Sequence, residues 1–503
     1  LMAKKKSAFD RVQTRAPGAA VIDGLNHQGL MLLQQGQFQA GADLLSQSLA
    51  HNPRQPEVYY NFGYALQQLG LLDSAVQAYG QCIALMPEDV DARMSRGHVL
   101  ATQKRYEAAL TDFSKATRLA PQNADAWNNL GNVLQDLQRD AEALAAYDKA
   151  LALRPGFAQA WFNQGKALGA LERYVDADNA YAKALSLNPD YEDAKWHQSW
   201  IKLVLGDFRL GWSLFEARWT VPALGNQRRY PQLPQWLGQA PLAGKSLLLY
   251  AEQGLGDTLQ FCRYVPVLQA MGARVSLAVQ APLVSLLADQ WPGVTVAEVG
   301  AAVFADPSAF DWATPLMSLP LALGTMLETI PQAPYLQVAG AGDWAAESPA
   351  VRPRVGLVWS GSTGHKNDQA RSIALETLAP LLQLPVDWVC LQPDLRGHDL
   401  AWLAANPDVP LTRPQLTDFA ETARVIVGLD WVVTVDTAVA HLAGALGKET
   451  WLLLPTGADY RWLLERSDTP WYPGMQLFRQ KNRGDWPAVV TQVLQDMVIK
   501  IQY

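Results

Sequence analysis

Cysteine is scarce in this chain: three in 503 residues, Cys82, Cys262 and Cys390, without CxxC spacing and each in apolar, periodic surroundings. That excludes a disulfide framework and argues against zinc ligation; the thiols read as small core hydrophobes in a reducing compartment. Long hydrophobic runs are missing too. No apolar stretch approaches the roughly 18 residues that cross a bilayer, so no transmembrane helix is expected. The N-terminal "LMAKKKSAFDRVQTRAPG" starts basic but lacks the apolar core of a signal peptide, which makes the cytoplasm the expected location. Positive charge is in deficit, with 41 Lys and Arg against 48 Asp and Glu. A protein held on nucleic acid by phosphate contacts needs the opposite balance, so no nucleic-acid partner is expected. The length is too great for one core and implies two to four domains.

What is present is a period. Gly29, Gly63, Gly97, Gly131 and Gly165 are spaced by 34 residues. Twelve positions after each stands a small residue (Gly41, Ala75, Ala109, Ala143, Ala177), and four later a Leu or a ring (Leu45, Tyr79, Phe113, Tyr147, Tyr181). Pro53, Pro87, Pro121, Pro155 and Pro189 close the units. This pattern resembles the tetratricopeptide repeat: two helices per unit approach closely at the small residues, rings fill the space beside them, and Pro stops the second helix. Since one unit cannot bury its own apolar face, the units are expected to stack into an α-solenoid over 21–190, after a flexible tail at 1–20. A degenerate sixth unit at 191–224, "YEDAKWHQSWIKLVLGDFRLGWSLFEARW", keeps Gly211 and Phe215 but has Ser199 for Gly. Its added Trp residues predict an adaptor that packs on a different domain. Asn61, Asn129 and Asn163 share one helical register. They are candidate acceptor-binding residues, a row of amides for an extended peptide, or else local caps. The DxD pairs Asp89/Asp91 and Asp176/Asp178 fall at helix ends inside the repeats, where they read as solvated rather than metal-binding.

Beyond a Pro/Gly/Gln-rich connector the period changes. Short apolar runs at 246–253, 274–280 and 294–299 alternate with helical segments, and a second series runs through 354–361, 387–393, 431–436 and 450–455. Such βα alternation predicts mostly parallel sheets in two Rossmann-like domains, 230–345 and 350–485, followed by a C-terminal helix within 486–503. Ligands of open sheets sit beyond the carboxyl ends of the strands. There, "AEQGLGDT" places Asp257 at a helix start, as a cap or as a general base. It is not a dinucleotide fingerprint, because the third Gly is missing. "VTVDTAVAHLAGALG" ends a strand in Asp436 and opens a helix with Thr437 and Ala438, whose free N–H groups suit a diphosphate. Asp436 is a cap or a ligand for a sugar hydroxyl; His441 is a structural imidazole or a second polar ligand. The loop "GSTGHKNDQARS" carries Lys366 and Arg371, either solvated or placed to neutralise a leaving diphosphate.

Residues 205–485 resemble bacterial tetratricopeptide-linked glycosyltransferases whose catalytic half is similar to family-9, lipopolysaccharide heptosyltransferase-like enzymes. The motifs are "GDFRLGWSLFEARW", "LLLYAEQGLGDTLQFCRY", "GLVWSGSTGHKNDQARSI", "DFAETA", "VTVDTAVAHLAGALGK" and "DYRWLLERSDTPWYPGMQLFRQ", in that order. The resemblance implies a GT-B fold and inverting, metal-independent transfer, with donor binding in the C-terminal domain and acceptor binding in the N-terminal one. No cofactor is implied; a nucleotide diphosphate sugar is the co-substrate. Asp257 matches the family's acid, and Asp436, Thr437 and His441 match a D-T-G-x-x-H donor motif with Ala438 in place of Gly. By the same resemblance Asp257 deprotonates the acceptor hydroxyl, Lys366 assists the leaving diphosphate with Arg371, Gln392 contacts the base and Asp418 the ribose. The fusion to a solenoid also looks like O-linked N-acetylglucosamine transferase, whose repeats grip proteins. The expected function is glycosyl transfer to a protein, such as a surface or flagellar one, held in the repeat groove. Transfer to lipopolysaccharide or another glycan, and an inactive scaffold, are the alternatives.

Overall fold

The computed structural model describes residues 19–340, 352–364 and 367–502. They form two compact units, one ending at Ala194 and one starting at Lys195.

The first unit is an α-solenoid. Its helices from Ala19–Gln34 to Tyr174–Leu187 pair in sequence order, each hairpin packing on the next. The 34-residue period has a steric cause. A Cβ added at Gly131 would fall 2.4 Å from the ring of Tyr147, and one at Gly165 would fall 2.6 Å from Tyr181. The missing side chain therefore makes room for the ring of the same hairpin. Tyr79, Phe113, Tyr147 and Tyr181 are almost wholly buried, and Ala75, Ala109, Ala143 and Ala177 completely so. Each such ring contributes about 1.5–3 kcal/mol of burial. The helices stop as the prolines require: Leu72–Leu85 ends two residues before Pro87, and Asp140–Leu153 two before Pro155, so that the residue preceding each proline is already outside the helix. Asp89 is the N-cap of Val90–Thr102, accepting from the Ala92 N–H at 3.0 Å, and it is buried rather than solvated.

The second unit opens inside the degenerate repeat, whose helices are Glu192–Val204 and Phe208–Phe215. Trp212 meets Phe261 and Tyr460 at 6.0 and 5.6 Å between ring centroids, and Phe208 meets Trp471 at 5.8 Å. The hairpin is thus part of the α/β core, as its added aromatics predict.

Two parallel sheets follow. The first has β1 (Ser246–Tyr250), β2 (Arg274–Val279), β3 (Thr295–Glu298) and β4 (Trp312–Pro315) in the order β3-β2-β1-β4. The second has β5 (Arg354–Val358), β6 (Asp387–Cys390), β7 (Leu411–Thr412), β8 (Trp431–Val435), β9 (Thr450–Leu454) and β10 (Met475–Arg479) in the order β10-β9-β8-β5-β6-β7. The apolar runs of the sequence are these strands; the short β4, β7 and β10 were not expected. Each sheet reverses its winding direction beside its first strand, between β1 and β4 and between β5 and β8. These reversals open crevices at the carboxyl ends, where open α/β sheets bind ligands. Helix Trp486–Gln502 closes the second sheet's core with Val489, Val493 and Met497. All three cysteines are buried and unbridged. No helix among the described residues is long and apolar enough to cross a membrane.

Candidate functional site

A cavity of about 1100 Å³ lies in the α/β unit. Its walls are the segments that leave the carboxyl ends of β1, β5, β6, β8 and β9, so the crevices of both sheets open into one space.

From the first sheet comes Asp257, in the first turn of helix Leu255–Phe261. Its Oδ2 accepts the Gly254 N–H at 2.8 Å, which caps the helix, and its Oδ1 accepts a hydrogen bond from Arg461 Nη2. Capping and a place in the cavity wall therefore coexist in one side chain. From the second sheet comes the strand end Asp436–Thr437 and helix Ala438–Ala445. Asp436 does not cap this helix; its Oδ2 accepts Trp462 Nε1 at 3.0 Å. Burial first, and then the charge of Asp459, push its carboxyl up to about 6. Thr437 holds the N-cap position without a side-chain cap, and its hydroxyl has no partner. The leading N–H groups, at Ala438 and Val439, are thereby left for a ligand. Ala438 faces Gly256, its Cα 3.6 Å from where a Cβ on that glycine would stand.

His441 is buried, stacked on Trp462 at 5.5 Å and 21°, with Nδ1 2.9 Å from the Tyr472 hydroxyl. Burial first, and then Arg461, Arg263 and Arg371, hold its pKa well below the usual histidine value. Arg371 reaches the same edge and donates from Nη1 to the Asp436 carbonyl at 2.8 Å. Its guanidinium lies under Gly361, where a Cβ would come within 2.6 Å of Nη2.

Two expected ligands have other duties. The Gln392 amide donates to Ser360 Oγ at 2.7 Å and to the Asp394 carbonyl at 2.9 Å, while Oε1 accepts the N–H groups of Trp359 and Ser360. It ties the ends of β5 and β6 together and has no donor left for a base. Asp418 lies outside the cavity wall. It caps helix Phe419–Val427 through the Glu421 N–H at 2.8 Å and accepts the Ser285 hydroxyl at 2.7 Å. Burial alone would raise its carboxyl pKa, but these bonds hold it below the ordinary value. Lys366 lies outside the described residues. In the solenoid, Asn61 and Asn163 are buried: Asn61 donates to the Glu57 carbonyl at 2.8 Å and Asn163 to Asn128 Oδ1 at 3.0 Å. Asn129 is half-buried and bonds His98 Nε2 at 3.0 Å. Each of the three amides thus has a local partner within the solenoid.

Three cavity residues went unforeseen. Arg461, 7% exposed, donates to Asp257, to Gln260 and, at 2.8 Å, to Asp459, joining the two sheets' sides of the cavity. Arg396 adds a second cation beside Arg371, paired with Asp368 at 2.6 Å. Trp200, from the degenerate repeat, forms part of the wall. A signal for Arg461 was present: an Arg between Tyr and Trp, two residues after an Asp, just beyond an apolar strand. Among the described residues no group of three or more His, Cys, Asp or Glu is arranged to hold a metal ion.

Models of the tetratricopeptide repeat match residues 32–98, 124–157 and 158–191, and a TPR repeat model matches 97–138. Residues 32–191 are tetratricopeptide repeats. Protein FlbA of Caulobacter vibrioides is 30% identical over 320 residues, which is 58% of this chain and 53% of that protein. The chain spans about half the length of this curated relative. A match over 58% of the chain is longer than the tetratricopeptide solenoid, so it runs on into the α/β unit. Among solved structures, MamA aligns with 32% of this chain and 94% of its own at 23% identity and a TM-score of 0.31. YrrB, described as a TPR protein with an unusual peptide-binding site, aligns with 36% and 94% at 21% identity and a TM-score of 0.32.

Proposed function

We propose that the α/β unit is a GT-B glycosyltransferase that moves a sugar from a nucleotide diphosphate sugar to a hydroxyl of a protein recruited by the tetratricopeptide repeats. One observation carries this reading: an acid at the first sheet's switch point and an uncapped helix N-terminus at the second's line a single cavity. In the reaction, Asp257 takes the acceptor's proton while the hydroxyl oxygen attacks the anomeric carbon. The bond from that carbon to the diphosphate breaks, and the diphosphate leaves toward the N–H groups of Ala438 and Val439, with Arg371 beside them. Asp436 is left to hold a sugar hydroxyl. The repeats support a protein acceptor, such as a surface or flagellar protein, because stacked repeats build extended binding surfaces.

Calorimetry on the full chain with UDP, ADP, GDP and CDP tests the donor site; heat with at least one is expected, and none with all four sinks the reading. With a binding donor in hand, Asp257→Asn should keep donor affinity and slow transfer by about 10²–10⁴. Its bonds to Gly254 and Arg461 favour a second, purely structural role for Asp257. Near-normal turnover in the variant would assign it that role.

A further inference from the structure

His441 has more structure behind it than a ligand-binding imidazole requires. Its ring contacts Tyr472, whose own ring lies against Gly444: a Cβ there would fall 2.4 Å from it. Arg263, wholly buried, lies over the rings of Tyr472, Tyr335 and Trp471 at 4.8, 4.7 and 5.1 Å. Its hydrogen bonds go to the carbonyls of Gln260, Pro331 and Trp471 at 2.8, 3.1 and 2.9 Å, and to the Tyr335 hydroxyl at 3.2 Å; none goes to a carboxylate.

The protons of this cluster can be followed one by one. Tyr335 donates its only hydroxyl proton to the Leu259 carbonyl at 2.9 Å, and its oxygen accepts Arg263. The Tyr472 hydroxyl stands 2.9 Å from His441 Nδ1 and 3.5 Å from the Tyr335 oxygen. The longer distance exceeds that of an O–H···O hydrogen bond. Among the described residues, Nδ1 is the acceptor within hydrogen-bond distance of the Tyr472 hydroxyl. A nitrogen that accepts a phenol proton carries none itself, so the imidazole proton resides on Nε2. Among the described residues no hydrogen bond is seen at Nε2, which stands 3.5 Å from where a Cβ on Gly256 would be, at the edge that lines the cavity. Glycine at 256 keeps that edge open, since a Cβ would fall 2.8 Å from His441 Cδ2.

We propose that Tyr472, backed by Arg263, is a positioning residue that fixes His441 as the Nε2–H tautomer and aims that proton into the cavity at an oxygen acceptor. Resting on the donor reading above, the acceptor is an oxygen of the nucleoside diphosphate, bound beside the N–H groups of Ala438 and Val439. The groups around the ring agree with a neutral donor. Arg461, Arg263 and Arg371 oppose a second proton on it. The nearby carboxylates bond groups other than the ring: Asp436 accepts from Trp462, and Asp257 and Asp459 from Arg461. Positive charge for the diphosphate then comes from arginine, and His441 supplies direction.

The test uses the full chain labelled with ¹⁵N-histidine, the His441 signals being those lost in His441→Gln. The expected spectrum shows a protonated Nε2 and a bare Nδ1 at pH 7.5, unchanged at pH 5.5, and a mixture of tautomers in Tyr472→Phe. A protonated Nδ1 in the wild type, or a ring that titrates like a free histidine, overturns the proposal even where Tyr472→Phe does not fold. Calorimetry with UDP, ADP, GDP and CDP reads the consequence. Tyr472→Phe should weaken the tightest of the four roughly 10-fold, the worth of one hydrogen bond to a charged group, with no further loss when His441→Gln is added. Equal affinity in wild type and Tyr472→Phe overturns the positioning role. If no nucleotide binds the wild type while the Nε2–H tautomer is seen, the donor reading fails and the tautomer assignment stands.

Discussion

In the solenoid, buried polar side chains find partners about one repeat away or less: Asn163 donates to Asn128, 35 positions earlier, and Arg96 to Asp112, 16 positions later. In the α/β unit, Arg461 reaches 204 positions back to Asp257, and Arg263 reaches 208 forward to Trp471. A repeat array is close to a sum of nearest-neighbour interfaces, so a lost contact is felt locally. The cavity of the α/β unit exists only once distant segments have met, and its charges balance only as a set.

The sharpest way to break this contrast is to remove one cation from each unit. Arg461→Met leaves Asp257 and Asp459 beside a cavity without their shared partner, and should destabilise the α/β unit by about 3–5 kcal/mol. Arg154→Ala removes an exposed pair with Asp125 and should cost the solenoid no more than about 1 kcal/mol. Denaturant unfolding followed by Trp fluorescence checks the first, because of 18 tryptophans only Trp127 and Trp161 precede Lys195. Equal effects would erase the distinction.

Acidity should separate the units next. Below about pH 6.5 an unfolded chain protonates its histidines while His98 in the solenoid and His441 in the α/β unit resist, so both units lose stability as pH falls. Asp436 acts the other way in the α/β unit alone. Folded, it takes its proton near pH 6; unfolded, only near pH 3.8, so between those values the folded state gains as pH falls. Asp436→Asn should therefore be more stable than wild type at pH 7, by on the order of 2–3 kcal/mol, and the advantage should vanish toward pH 4. A difference independent of pH would refute the perturbed carboxyl.

The smallest effects lie within the solenoid and should differ in sign. Gly131→Ala forces a Cβ to 2.4 Å from Tyr147 and should cost about 1–3 kcal/mol. Gly80→Ala, also inside a helix, meets nothing closer than 3.4 Å and should stabilise by up to about 1 kcal/mol. Circular-dichroism melts of the two variants decide it; a shared sign would refute the steric origin of the period.

The same contrast governs what the sequence disclosed. The repeat was legible because its cause, a ring needing the space of a glycine, recurs every 34 residues. Most strands were legible as apolar runs, whereas β4 (WATP), β7 (LT) and β10 (MQLFR) contain no run of three apolar residues. Asp257, Asp436, Thr437, Ala438, His441 and Arg371 do meet at one cavity, since strand-end residues are placed by topology alone. Gln392 also lines the cavity, but both its amide protons are spent on Ser360 and Asp394, and Asp418 caps a helix outside the wall, which only side-chain geometry reveals. Arg461 and Tyr472 escaped notice because their roles depend on partners far away in sequence.

Trp200 sets a rule for re-engineering. The last repeat-like hairpin supplies a wall of the cavity and, through Trp212, a piece of the α/β core, so it travels with the α/β unit and not with the solenoid. A chimera that exchanges one recognition array for another should be spliced ahead of residue 191. Splicing after the sixth hairpin would instead import a foreign residue at position 200 and change the site together with the array.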